Sequence, residues 1–226
     1  MKIRRNPVWL LFLVALAGCR SGEGPFPSQR LQLGDERASY SFSDESDAAA
    51  WDTFVLSDQR AMFRINEEAL EGGILENLGY IWSINAERYD DVAVQSTMWQ
   101  SEGVIGSGFG LMCRADGSGN GYYFLISGQG RVSIRKATPE QGVLLPLVEW
   151  QDSAAVRRGN EPNTVLAVCV GDYLAMFVND QFVAEARDEE FSSGQVAVTL
   201  AATGDDAAWV RFDDISTRDV LLLGPR

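Results

Sequence analysis

The stretch from Gly108 to Ala137, GFGLMCRADGSGNGYYFLISGQGRVSIRKA, constrains the fold more than any other part of the chain. It holds three short runs rich in apolar, β-branched and aromatic residues, parted by two glycine-rich breaks, which is how consecutive antiparallel strands joined by hairpins are written. The same texture continues on both sides. ASYSFS, MFRIN, GYIWSI and DVAVQSTMWQS precede it, and GVLLPLVEWQ, NTVLAVCV, YLAMFVN, QFVAEAR, GQVAVTLAA and WVRFDDIST follow, each fenced by a turn signal. No sustained 3.6-residue period runs after Glu71, so the expected fold class is all-β, a sandwich or jelly roll of about twelve or more strands. Gly171-Asp172 and Asn179-Asp180 read as tight hairpin turns, because Gly, Asn and Asp tolerate the positive φ such turns require. INEEALEGGIL is ambiguous: its Glu and Ala favour helix, and Gly72-Gly73 would end one after about two turns.

The N-terminus carries an address. Lys2, Arg4 and Arg5 precede an apolar run, Val8 to Ala17, that is too short to span a bilayer comfortably, and together they form the n- and h-regions of a secretory signal. The run ends in Leu16-Ala17-Gly18-Cys19, which resembles the lipobox of bacterial lipoproteins. The resemblance implies a signal peptide over residues 1–18, cleavage before Cys19 and lipidation of Cys19, and several acyl chains in one place anchor a protein where one would be marginal. Residues 19–37 mix Gly, Pro, Ser and charge without periodicity and are expected to be a flexible tether. The folded body is expected over residues 38–219, followed by a short tail at 220–226. The expected location is the cell envelope, on the extracytoplasmic side of a bacterial membrane; Arg20 leaves inner and outer membrane equally open.

Charge narrows the partners. Nineteen Lys and Arg against thirty-two Asp and Glu give −13 at pH 7, which argues against nucleic acid or an anionic bilayer held through a basic face. An exported chain can oxidise a cysteine pair. Cys113 is in phase with Leu111 and Phe109, and Cys169 with Ala167 and Val165, so both sulfurs are expected in the core, as a disulfide or as two buried thiols.

The order of FSDESDAAAW, a strand ending in Trp99, the Gly108–Ala137 hairpins, NTVLAVCVGDYLAMFVNDQFVAEARDEEFSSGQVAVTL and VRFDDIST resembles the concanavalin A-like lectin/glucanase jelly roll. Within it the chain is similar to laminin-G-like modules and to the 3-keto-disaccharide hydrolase group. The resemblance covers about residues 38 to 219 and implies two packed antiparallel sheets, one of which often holds saccharide on its outer surface.

Chemistry is limited by what is missing. With no histidine in the chain, Ser-His-Asp triads, Cys-His dyads and His-ligated metals are excluded. Laminarinase-like members of the resembled superfamily carry E-x-D-x-x-E on one strand, and no such stretch occurs. Asp90-Asp91, Glu189-Glu190 and Asp205-Asp206 are adjacent pairs whose side chains point to opposite faces of an extended chain. Asp116 to Gly121 imitates the opening of a calcium loop, but Ser127 stands where a bidentate Glu is needed. Laminin-G-like relatives bind calcium at a sheet rim, which implies calcium as a candidate ion without assigning ligands; Asp213 and Asp214 are the other acidic candidates. No other cofactor is expected.

Phase supplies the candidate ligand-binding residues. Val92, Val94 and Met98 share one side of their strand, and Gln95, Thr97 and Trp99 the other. Arg114 is opposite to Phe109, Leu111 and Cys113, and Tyr123 is opposite to Tyr122, Phe124 and Ile126. Gln95, Trp99, Arg114 and Tyr123 are therefore expected on an outer sheet surface, as rings and hydrogen-bonding groups for a sugar or as cover packed against other chain. The function readings are a non-catalytic module binding a glycan or an envelope protein, a carbohydrate-active hydrolase of the resembled group, and a structural lipoprotein.

Overall fold

The structure, a computed structural model, describes residues 27–76, 78–103, 106–140, 143–202 and 207–225. The expected signal peptide and Cys19 lie outside them, as do Asp205 and Asp206. In chain order the elements begin with β1 (Gln29–Tyr40), α1 (Glu45–Ala49), β2 (Phe54–Val55), β3 (Ala61–Asn66), β4 (Ala69–Ile74) and β5 (Tyr80–Tyr89). The middle of the chain forms β6 (Val92–Gly103), β7 (Gly108–Ala115), β8 (Gly121–Ser127), β9 (Arg131–Ala137) and β10 (Leu145–Asp152). Then come β11 (Asn163–Val170), β12 (Tyr173–Val178), β13 (Gln181–Arg187), β14 (Gly194–Ala201) and β15 (Ala208–Pro225).

These strands make two antiparallel sheets. One has six strands in the order β10-β9-β8-β7-β14-β5; the other has nine, β13-β12-β11-β6-β15-β4-β3-β2, with β1 paired to the far half of β15. Alternation places the core between them, as the phase reading expects. Val92, Val94 and Met98 of β6 meet Phe109, Leu111 and Cys113 of β7 and Tyr122, Phe124 and Ile126 of β8 in one buried cluster, where each large apolar side chain contributes roughly 1.5–3 kcal/mol. A disulfide joins Cys113 of the six-stranded sheet to Cys169 of the nine-stranded sheet, with Cα atoms 6.7 Å apart. It crosses the core.

The ambiguous INEEALEGGIL is a hairpin. Glu67 and Glu68 take the turn with φ of 48° and 58°, so β3 and β4 pair from Ala61↔Ile74 to Asn66↔Ala69. Local helix preference lost to sheet pairing, since Phe63, Leu70 and Ile74 are fully buried this way.

Both expected edges of the folded body move outward. The tether expected over 19–37 is strand from Gln29, and the tail expected over 220–226 is strand to Pro225, the two paired from Gln29↔Pro225 to Tyr40↔Ile215 with register shifts between Gln29 and Leu31, Leu33 and Glu36, and Glu36 and Ala38. The physical reason is a separate apolar cluster outside the main core: Leu31 and Val220 pack with Ala93, Val168, Tyr173, Phe177 and Phe182. The β1–β15 ribbon thus folds across the outer face of the nine-stranded sheet, and Ser28 at its end bonds Glu185 of β13 through both its backbone N–H and its hydroxyl.

Candidate functional site

The four expected ligand residues do not share a surface. Gln95 and Trp99 sit on the outer face of the nine-stranded sheet, opposite Ser216 and Arg211 of β15. Arg114 and Tyr123 belong to the six-stranded sheet. No single groove holds all four.

Arg114 is not a surface residue. Three β7 steps from Met112 to Ala115 face two β14 steps from Ala197 to Gln195, so β7 carries one extra residue, and Arg114 takes φ 52° at that bulge. The bulge breaks alternation. The side chain, 3% exposed, instead bridges the ends of both sheets. Its guanidinium donates to the carbonyls of Asp90 (2.9 Å), Gly171 (2.7 Å) and Phe191 (2.8 Å) and to Asp91 Oδ1 (3.0 Å). It is a structural clamp.

Tyr123 does face outward from its sheet, as phase predicts, but it is 2% exposed. Its hydroxyl donates to the Gly119 carbonyl at 2.6 Å, and its ring meets Tyr80 edge-on at 5.7 Å. Burial pushes the Tyr123 hydroxyl well above the ordinary tyrosine range, with the nearby Tyr80 and Asp116 adding to the rise. The residue is floor, holding the β7–β8 loop down. In that loop Asp116 spends its carboxylate on its own turn, accepting from the N–H groups of Ser118 and Asn120 and from Asn120 Nδ2. Among the described residues no group of three or more His, Cys, Asp or Glu is placed to hold a metal ion.

What phase alone missed lies beside Tyr123, on the outer face of the six-stranded sheet. A cavity of about 450 Å³ opens there, lined among others by Tyr80 of β5, Gly108 of β7, Ser127 of β8, Arg131 of β9 and Trp150 of β10. Tyr80 and Trp150 come from opposite edge strands and meet over Gly108. A Cβ at Gly108 would lie 2.8 Å from Tyr80 Oη and 3.3 Å from Trp150 Cζ2, so this position must stay bare. Burial raises the Tyr80 hydroxyl above its usual range and Arg135 pulls it partway back. Ser127 is 3% exposed, and its hydroxyl has no hydrogen-bond partner among the described residues. Trp150 stands between two guanidiniums, Arg131 at 5.9 Å and Arg135 at 5.8 Å from its ring centroid. Flat apolar rings, hydroxyls and a guanidinium are the groups that hold a polyhydroxylated ligand. No carboxylate lines the cavity among the described residues.

The outer face of the nine-stranded sheet is built otherwise. The benzo ring of Trp209 occupies the space over Gly73, where a Cβ would come within 2.4 Å of it, and Arg64 stands 5.5 Å from the ring centroid. Beside it Glu71, 5% exposed, accepts from Arg64 Nε and Nη2 (2.9 and 2.7 Å), Asn66 Nδ2 (3.0 Å) and Arg211 Nε (3.3 Å). Burial works to raise the Glu71 carboxyl, but these bonds and the two guanidinium charges outweigh it and hold it below the usual carboxylate range. Every lone pair direction is answered by a donor.

A scan of family models and a search of curated proteins return no match. Solved structures do match in shape. The carbohydrate binding module CBM66 from Bacillus subtilis superposes with a TM-score of 0.60 at 20% identity, over 75% of this chain and 96% of that one. A Bacillus subtilis protein of unknown function with a galectin-like fold gives 0.63 at 11% identity, over 85% and 99%. The fold is a galectin-like, concanavalin A-like β-sandwich. A LamA variant from Z. galactanivorans in complex with laminaritriose and laminaritetraose has the same sandwich, with a TM-score of 0.54 at 9% identity over 83% and 100% of the two chains. At these identities the likeness is one of architecture, and a concanavalin A-like sandwich hosts binding modules and enzymes alike.

Proposed function

We propose that this chain is a lipid-anchored, extracytoplasmic module that binds a glycan, without catalysis, in the cavity between Tyr80 and Trp150. The observation that carries the reading is the cavity's construction: two aromatic walls meeting over a bare glycine, with the Arg131 guanidinium lining the same space. A volume of about 450 Å³ suits a small ligand, whereas a stable protein partner needs roughly 800 Å² of each surface. Carbohydrate-named neighbours in the same fold agree with this direction. Hydrolysis of 3-keto-disaccharides, the alternative implied by the sequence, would need carboxylates outside this cavity.

Glycan-array screening followed by calorimetry on the best ligand tests the reading. Trp150→Ala should weaken binding at least tenfold, the scale of losing one stacking platform, while Trp209→Ala on the opposite sheet should leave affinity unchanged. Equal losses from both variants, or no glycan bound at all, would sink it. Anchoring is tested separately. Support for it is the run of Lys2, Arg4, Arg5, Val8–Ala17 and the Leu16-Ala17-Gly18-Cys19 box, and Cys19→Ser should shift the protein out of the membrane fraction or leave the precursor uncleaved.

A further inference from the structure

We propose that the Tyr80–Trp150 cavity selects a saccharide bearing an anionic substituent, a carboxylate or a sulfate ester, and that Arg131 is the residue that receives it. The inference rests on the glycan reading above and adds the charge class of the ligand.

Among the described residues Arg131 shares with Arg30, Arg88, Arg157 and Arg158 the lack of a carboxylate within hydrogen-bonding distance, and it is the one of these that lines the cavity. Arg60, Arg64, Arg211 and Arg218 each hold a carboxylate at 2.8 Å or less, and Arg114 holds Asp91 at 3.0 Å. Arg131 does not. Its nearest acid is Asp152, 3.9 Å away on a side chain 83% exposed, which is beyond hydrogen-bonding distance and worth little in water. One donor, Nη2, is fixed on the Trp150 carbonyl at 3.0 Å. That bond orients the guanidinium beside the Trp150 ring and leaves Nε and Nη1 without a hydrogen-bond partner among the described residues. A planar guanidinium held in place is the side chain best matched to a carboxylate or sulfate.

The surroundings agree. Arg131 is the one charged residue lining the cavity among the described residues. Arg135 flanks the same indole, and Arg158 lies against Gly130, next in sequence to Arg131, with its Nε 2.7 Å from where a Cβ would be. Against these three guanidiniums stand Glu149, 3.5 Å from Arg135, and Asp152, 3.9 Å from Arg131, both on largely exposed side chains, so a positive excess remains here in a chain of −13 overall. Screening cuts off the distant acidic charge beyond about 8 Å at physiological salt, so the near guanidiniums decide what the cavity attracts. A neutral sugar could use the rings, but it would leave the oriented guanidinium with the exposed Asp152, 3.9 Å away, as its nearest counter-charge.

The test is an array carrying matched neutral and anionic oligosaccharides, with oligogalacturonates against their methyl esters and sulfated galactans against desulfated ones. Binders should be enriched in the anionic members, and affinity should fall with added salt. Arg131→Gln should cost at least tenfold for the anionic ligand while leaving the thermal midpoint within a few degrees, and Arg131→Lys should restore part of the loss. Loss on esterification identifies the carboxylate as the ligand group, and loss on desulfation the sulfate. Binding confined to neutral glycans, or an anionic ligand indifferent to Arg131→Gln, overturns the charge assignment and leaves the glycan reading standing. Absence of any glycan binding overturns both.

Discussion

The two outward sheet faces of this sandwich have the same kinds of side chain and opposite fates. On the six-stranded sheet, Trp150 and Tyr80 rise at the margins over Gly108, Ser127 and Arg131, and a cavity stays open between them. On the nine-stranded sheet, the β1–β15 ribbon covers one half through Leu31 and Val220; the other half holds a smaller cavity of about 340 Å³ but is closed in its hydrogen bonding, with Trp209 down on Gly73 and Glu71 bound by Arg64, Asn66 and Arg211. Both faces own tryptophans, arginines and glycines. What separates them is whether donors and acceptors find each other within the chain. Paired groups are finished structure, and under-used groups beside an aromatic wall are available for a ligand.

The comparison requires a framework that fixes both faces without belonging to either. The Cys113–Cys169 disulfide ties the sheets together across a sequence separation of 56 residues, for which loop-closure entropy gives about 4 kcal/mol. Replacing both cysteines by alanine should therefore lower the unfolding free energy by about that amount in denaturant titrations. Glycan affinity of the protein that remains folded should change little. A large affinity loss at full folding would mean that the disulfide shapes the cavity directly, and the two faces would not be independent.

Arg114 offers the second test, because it is the one residue expected at a ligand surface that turned out to be a clamp. Arg114→Met keeps much of the side-chain volume, takes the guanidinium donors from three carbonyls and leaves Asp91 Oδ1 with the Gly171 N–H alone, which should cost about 3 kcal/mol. Chemical unfolding measures it. If the variant instead kept its stability and lost glycan binding, Arg114 would belong to a site after all.

Phase made most of the sandwich legible, because Val92, Val94 and Met98, or Tyr122, Phe124 and Ile126, alternate over runs in which the chain stays regular. It failed where one residue departs from regularity or where the partner is remote. The Arg114 bulge rests on one φ of 52°, which nothing in LMCRA announces. β1 was hidden because Leu31 and Leu33 are flanked by Gly34 and Asp35 and become a strand only against β15, nearly two hundred residues away. The cavity was hidden for a related reason. Tyr80 and Trp150 each read as an aromatic in a strand, and their meeting over Gly108 follows from β5 and β10 being the two edges of one sheet, which local pattern cannot supply.

Glu71 tests the closed half of the nine-stranded face. Its carboxyl lies below the usual range when folded, since bonds from Arg64 and Asn66 and the charges of Arg64 and Arg211 overcome the opposing effect of burial. A depressed acid contributes stability that is fully present above its unfolded value, near 4.3, and that is lost as pH falls through the folded value. Glu71→Gln removes the charge and turns an amide N–H₂ toward donors that need an acceptor, so it should cost about 1–2 kcal/mol at pH 7. The cost should shrink as pH falls below the unfolded value and on through the lower folded one, where the native carboxyl itself protonates, so plots of unfolding free energy against pH for the two proteins should converge on the acid side. Glycan affinity at pH 7 should stay the same. Parallel curves with a constant gap would mean that Glu71 acts through shape rather than charge, and a drop in affinity would place ligand on the face that the ion pairs are argued to close.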